Sequence, residues 1–153
     1  MGNLRRTRYC GEVRLPDAGQ EMVVAGSIAK CRDKGGIIFA DLRDTTGILQ
    51  LVFDDGTDRD VFAKAQSLRS EYVVIAKGLL RERDAKTTKI ATGDVELYVS
   101  ELRLLSEAET PPFEIRDEVQ VKDELRLKYR YLDLRRPVMH QPLVLRSKIC
   151  QIV

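Results

Sequence analysis

Between Ile37 and Phe53 the sequence alternates apolar and other residues twice in succession, and this double alternation sets the tightest limit on the fold. Side chains of an extended chain point to its two faces in turn, so Ile38, Ala40 and Leu42 share one face, as do Leu49, Leu51 and Phe53. Asp44-Thr45-Thr46-Gly47 separates the two runs, and Asp33-Lys34-Gly35-Gly36 precedes them; both are turn signals. Upstream, Glu21 to Lys30 is β-rich around Val23, Val24 and Ile28. The three segments are expected to form an antiparallel meander.

The period then changes. Between Asp58 and Ser70, Val61, Ala65 and Leu68 recur at i, i+4 and i+7 behind Thr57 or Asp58 as N-cap, which predicts one short amphipathic helix. Tyr72 to Leu80 reads as a fourth strand, and a polar loop follows around Lys86, Thr87, Thr88 and Lys89. Val95, Leu97 and Val99 then alternate in a fifth strand. The expected fold class is all-β: a five-stranded OB-fold Greek-key barrel with one helix between strands three and four. An immunoglobulin-like sandwich ranks lower because it wants about seven strands, and an SH3-like barrel stays an alternative, though it usually has less helix.

Thr110-Pro111-Pro112 marks the barrel's end, because consecutive prolines cannot join a ladder. The barrel is therefore expected over 1–109. A hinge over 110–137 carries Leu125, Tyr129 and Leu132 at helical spacing and breaks at Pro137. Over 138–153 a further helical pattern runs from Leu143 to Val153 and is read as the truncated opening of another domain.

A length of 153 residues suits one domain with an appendage. The composition, 43% hydrophobic and 33% charged, excludes a disordered or membrane class, and no apolar run approaches a spanning helix of roughly 18 residues. With no apolar export segment after Met1, a cytoplasmic location is expected. Cys10, Cys31 and Cys150 form no CxxC pair and are read as reduced thiols. His140 is the only histidine, so no metal site is expected. There is no GxxxxGK[ST] loop, and no residue is assigned a catalytic role. The net charge of +2 does not announce a nucleic-acid binder, although the cations cluster at Arg5 to Arg14 and again at Lys122 to Arg136.

Sorting the strands by parity yields a candidate site. With Ile38, Ala40 and Leu42 inward, Phe39 must share the outer face with Asp41 and Arg43. With Leu49, Leu51 and Phe53 inward, Gln50 faces outward on the neighbouring strand. An exposed ring offers a stacking platform to an unstacked base, and an amide can test a Watson–Crick edge that duplex RNA would hide. In strand four Val74, Ala76, Gly78 and Leu80 take the inner parity, leaving Lys77, Arg81 and Arg83 to meet phosphates or stack. Glu96, outward beside Val95 and Leu97, can accept from the exocyclic amine of cytosine. Each residue taken singly is more often a core ring or a solvated side chain; their convergence on one face favours single-stranded RNA. Two rivals stand beside this: a general single-strand binder, and a protein-interaction barrel anchored by Phe39.

Four strings resemble the bacterial-type aspartyl-tRNA synthetase family: RTRYCGEVR (Arg6 to Arg14), RDKGGIIFADLRDTTGILQLVF (Arg32 to Phe53), TPPF (Thr110 to Phe113) and RLKYRYLDLRRP (Arg126 to Pro137). The resemblance implies an N-terminal barrel that reads the aspartate anticodon, with Phe39 stacked on the central uridine and Gln50 bonded to that base. Arg32, Arg81 and Arg83 match positions near the anticodon backbone and first base, and Glu96 matches the acid that selects the terminal cytosine. Ser27 stands where many members have Trp. Thr87 is the candidate for the first base in a loop lacking the Asn that members often use. Lys34 occupies a position that varies with whether asparagine tRNA is also charged. The resemblance further implies aspartate tRNA as partner, a homodimeric parent that uses ATP and Mg²⁺ in a class II catalytic domain, and a monomeric fragment that holds no cofactor and catalyses nothing alone.

Overall fold

One long strand, β1 (Glu21–Lys34), organises the barrel by pairing with two neighbours in succession. Its first half, Glu21 to Ser27, is antiparallel to β4 (Val73–Glu82), and its second half, Ser27 to Lys34, to β2 (Ile37–Arg43). A bulge between Ile28 and Lys30 separates the halves, and the added twist of a bulge turns one strand around a barrel corner. The computed structural model describes residues 4–152. It divides into two compact units, Met1–Thr110 and Pro111–Val153.

β2 joins β3 (Ile48–Phe53) as a hairpin, and β3 lies parallel to β5 (Val95–Ser106), which returns antiparallel to β4. The order β1-β2-β3-β5-β4 closes on itself, so the sheet of this unit has no open edge. The bounds expected for β2 and β3 are those observed. β1 runs four residues further than its apolar pattern, because Lys30 to Lys34 ladder onto Ile37 to Asp41 through a two-residue turn. Gly35 and Gly36 both take positive φ there, 62° and 97°, as a turn matched to the strand twist requires.

The inward sets named from alternation fill the interior: Ile38, Ala40, Leu42, Leu49, Leu51, Phe53, Val74, Ala76, Leu80, Val95, Leu97 and Val99 are buried together with Val24 and Ile28. Each Val, Leu, Ile or Phe side chain removed from water contributes about 1.5–3 kcal/mol before the entropy of ordering it. Helix α1 (Arg59–Gln66) is shorter than its sequence pattern and packs Val61 and Ala65 against the same core. Asp58 caps it, its carboxylate accepting from the backbone N–H of Asp60 at 2.9 Å and of Val61 at 3.3 Å. Gly78, on the inner parity of β4, meets the β5 backbone so closely that a Cβ would lie 2.1 Å from the Tyr98 carbonyl oxygen.

The second unit holds α2 (Asp123–Lys128), α3 (Arg130–Asp133) and α4 (Pro137–Ile152). A break falls at Pro137 as expected, α3 ending at Asp133, but the proline stands on the helical side of it. It opens α4, where the missing N–H has no partner to lose, so the helix starts six residues before Leu143. Phe113, Ile115 and Leu132 form a small core with Leu125 and Tyr129. Asp133 is fully buried beside it, accepting from Arg126 Nε and Arg136 Nη1 at 3.0 Å each and from Arg130. Burial disfavours its charge, but the donors and charges of Arg126, Arg136 and Arg130 outweigh that and hold its carboxyl below the usual carboxylate range.

Candidate nucleic-acid interface

Because the core faces are settled by alternation, the outer face of β2, β3 and β5 is settled too. Its residues fall into two rows across strands spaced about 4.8 Å apart. One row is apolar and aromatic: Phe39 lies opposite Val52, and Val52 opposite Tyr98. The next is polar: Asp41 lies opposite Gln50, Gln50 opposite Glu96, and Glu96 opposite Arg81 of β4. Phe39, Gln50, Val52, Glu96 and Tyr98 line a depression of about 280 Å³, with Arg32, Lys34 and Arg83 supplying cations and Asp54 and Asp84 acids.

Phe39 is half-buried and stands outside the barrel's hydrophobic core, as its parity predicts. Gln50 and Glu96 differ from expectation in one respect. They are on the outer face, but neighbouring side chains leave them only 2% and 5% exposed. Gln50 Nε2 donates to Glu96 Oε2 at 3.3 Å, and the Tyr98 hydroxyl donates to Glu96 Oε1 at 3.1 Å. A carboxylate can only accept, so the Gln50 amide must turn its NH₂ toward Glu96, which leaves its carbonyl oxygen as the remaining acceptor. Burial pushes the Glu96 carboxyl above its ordinary value; the Tyr98 hydrogen bond and the charge of Arg83 counter that, and Asp84 adds to it.

Arg32 donates from Nη2 to both Asp41 oxygens at 3.1 and 3.2 Å, while its buried Nε has no hydrogen-bond partner among the described residues. A guanidinium already bound to a carboxylate is a weaker phosphate ligand than an unpaired one. Arg83 Nε stands 3.8 Å from Glu96 Oε2. Arg81 is exposed and does not line the depression; its guanidinium carbon lies 4.2 Å from the centroid of the Tyr98 ring. Thr87 is also outside the lining. It belongs to the β4–β5 loop, where its N–H donates to the Gly93 carbonyl at 3.1 Å and its hydroxyl accepts from the Lys89 N–H at 3.3 Å.

The structure thus brings together Arg32, Phe39, Gln50, Arg83 and Glu96, and leaves Arg81 and Thr87 outside. Val52 and Tyr98 were not singled out from the sequence. The parity that selected Glu96 also sends Tyr98 outward, so the signal for it was present. Among the described residues no group of three or more His, Cys, Asp or Glu is placed to hold a metal ion, and no helix is long and apolar enough to cross a membrane.

A closed five-stranded barrel with a helix between β3 and β4, carrying a ring, an amide and a carboxylate on its outer β2–β3–β5 face, has the architecture of an oligonucleotide-binding barrel. Residues 22–105 match the tRNA anti-codon family, described as an OB-fold nucleic acid binding domain, and the chain belongs to that family. Over its whole length it is 48% identical to an aspartate–tRNA(Asp/Asn) ligase of Caldanaerobacter subterraneus subsp. tengcongensis, of which it covers 26%. It is 47% identical, over 98% of its length, to an aspartate–tRNA ligase of Limosilactobacillus fermentum, of which it covers 25%. The chain therefore spans about a quarter of the length of these curated relatives. The solved aspartyl tRNA synthetase from Entamoeba histolytica superposes with a TM-score of 0.84 over 97% of this chain and 36% of that one; at 21% identity this likeness speaks for the fold alone.

Proposed function

We propose that this chain is the anticodon-reading part of an aspartate–tRNA ligase, in which the depression on the β2–β3–β5 face receives unstacked anticodon bases. The observation that carries this is the convergence of Phe39, Gln50 and Glu96 on one depression. Phe39 stacks on the central base. The carbonyl oxygen of Gln50 accepts from the N3–H of uracil, a donor that cytosine lacks at that position. Glu96 accepts from the exocyclic amine of the third-position cytosine. Arg32, Lys34 and Arg83 hold the backbone around them. Thr87, away from the depression, is assigned no base.

Binding here selects the tRNA, and the rest of the ligase, with ATP and Mg²⁺, activates aspartate and transfers it; the chain alone supplies no catalytic group. In this reading the segment through Pro137 is a hinge, and α4 beyond it opens the catalytic domain through which the ligase dimerises in the cytoplasm. Whether asparagine tRNA is also accepted then rests on how strongly Glu96 prefers cytosine, because the two anticodons, GUC and GUU, differ only at the third base.

Fluorescence titration of the chain with stem-loops bearing the aspartate (GUC), asparagine (GUU) and lysine (UUU) anticodons tests this. The expected order places GUC first and UUU last, with affinity falling as salt rises. Equal binding of all three would make the chain a general single-strand binder. A flat titration with all three would dismiss the RNA-binding role.

A further inference from the structure

Glu96 can choose a base only if its carboxylate is held still, and the structure shows what holds it. The Gln50 amide approaches Oε2 from β3, and the Tyr98 hydroxyl approaches Oε1 from two residues further along β5. Nothing fixes the glutamate intrinsically. A free Glu side chain loses rotamer entropy on being ordered, and 3.8 Å away Arg83 Nε offers a competing ion pair that would occupy the lone pairs a base needs. Tyr98 is itself held, because the Arg81 guanidinium lies over its ring at 4.2 Å in cation–π contact. Arg81 is also the β4 register partner of Glu96, so both residues of the stack stand on the strand pair that carries the selector.

We propose that Tyr98, braced by Arg81 stacked on its ring, is the positioning residue that aims the Glu96 carboxylate at the third anticodon base, and that Arg81 acts through this stack and not by touching RNA. The inference rests on the reading of Glu96 as selector of that base. It reassigns Arg81, which the sequence placed near the RNA backbone.

The groups around the Glu96 carboxylate are Tyr98 on its own strand, Arg81 on β4, and Arg83 and Asp84 just beyond the end of β4. From β3 comes Gln50, which does not titrate, with Asp54 past that strand's end in the same depression; β2 contributes Asp41 opposite Gln50. A donor to the ionised carboxylate favours ionisation, so loss of the Tyr98 hydroxyl shifts the acid transition of Glu96 upward.

The test uses the whole chain with GUC and GUU stem-loops, titrated at several pH values and salt concentrations. Tyr98→Phe removes one oxygen and keeps the ring and the Arg81 stack. The expected result is a GUC-over-GUU ratio about two- to tenfold smaller, the worth of one hydrogen bond. The ratio should also collapse at a higher pH than in the unaltered chain. Arg81→Met should lower the same ratio while leaving the slope of log affinity against log salt unchanged. A phosphate contact would instead weaken both stem-loops equally and reduce the slope by about one. The proposal is overturned if Tyr98→Phe keeps both the ratio and its pH midpoint, or weakens both stem-loops alike, while Glu96→Gln abolishes the ratio. If Glu96→Gln also leaves the ratio intact, it is the reading of Glu96 that fails, and the positioning role falls with it.

Discussion

Replacing Phe39 with alanine separates the role of a ring in recognition from its role in the fold. Phe39 is half-buried on the outer face, whereas Phe53, on the inner face of the paired strand, is fully buried in the core. Truncating a buried phenylalanine costs about 3–5 kcal/mol, transfer and cavity together. Phe39 has water on one side and no core contacts to lose, so its truncation should cost on the order of 1 kcal/mol. For a barrel the size of the Met1–Thr110 unit, 1 kcal/mol corresponds to a drop in Tm of about 4 °C. Binding should respond in the opposite proportion. Losing a stacking platform costs about 1–3 kcal/mol, equivalent to a Kd for the GUC stem-loop raised about 5- to 150-fold. Thermal melts by circular dichroism and stem-loop titrations on Phe39→Ala and Phe53→Ala, below the Tm of each, give both numbers. The reasoning is refuted if Phe39→Ala melts as low as Phe53→Ala, or if its Kd stays within about twofold of the unaltered chain.

Three further outcomes are expected. Because burial raises the Glu96 carboxyl, the preference for GUC over GUU should fade on acidification before the ordinary carboxylate range is reached, since protonation weakens the acceptor for the cytosine amine and adds an O–H that can donate to uracil O4; a ratio constant down to about pH 4 would contradict this. Gly78→Ala should destabilise the barrel by about 1–3 kcal/mol, because a Cβ would press to 2.1 Å against the β5 backbone, and a chemical-denaturation midpoint equal to that of the unaltered chain would show the strands can move apart at no cost. Asp133 has a depressed carboxyl, so its contribution to stability is fully present above the unfolded-state value and is lost as pH falls through the lower folded value. Asp133→Asn should therefore lower the stability of the second unit near neutral pH and remove part of its acid sensitivity, and superimposable hydrogen-exchange profiles for the two proteins across that pH range would rule the effect out.

Period-two alternation was enough to locate β2 and β3 to the residue, to sort their inner from their outer faces, and to put Phe39, Gln50 and Glu96 on one side of the barrel. The reason is local: in an extended chain the direction of a side chain depends only on whether its position is odd or even. The helix-spaced run with a capping aspartate placed α1 on the same local grounds, though not its C-terminal end. Three features lay beyond local pattern. β1 extends to Lys34 because a charged segment is recruited by its partner across the Gly35–Gly36 turn, not by its own composition. Pro137 marks the expected break between helices but itself begins α4, six residues before the pattern from Leu143, since the same ring that interrupts a helix interior suits a first turn. Above all, outward did not mean exposed. Gln50 and Glu96 lie on the outer face yet are nearly inaccessible, and Arg81 rests on Tyr98. Burial, hydrogen-bond partners and stacking depend on which strands closure brings side by side, and the parallel pairing of β3 with β5 joins residues more than forty positions apart, which no local periodicity encodes.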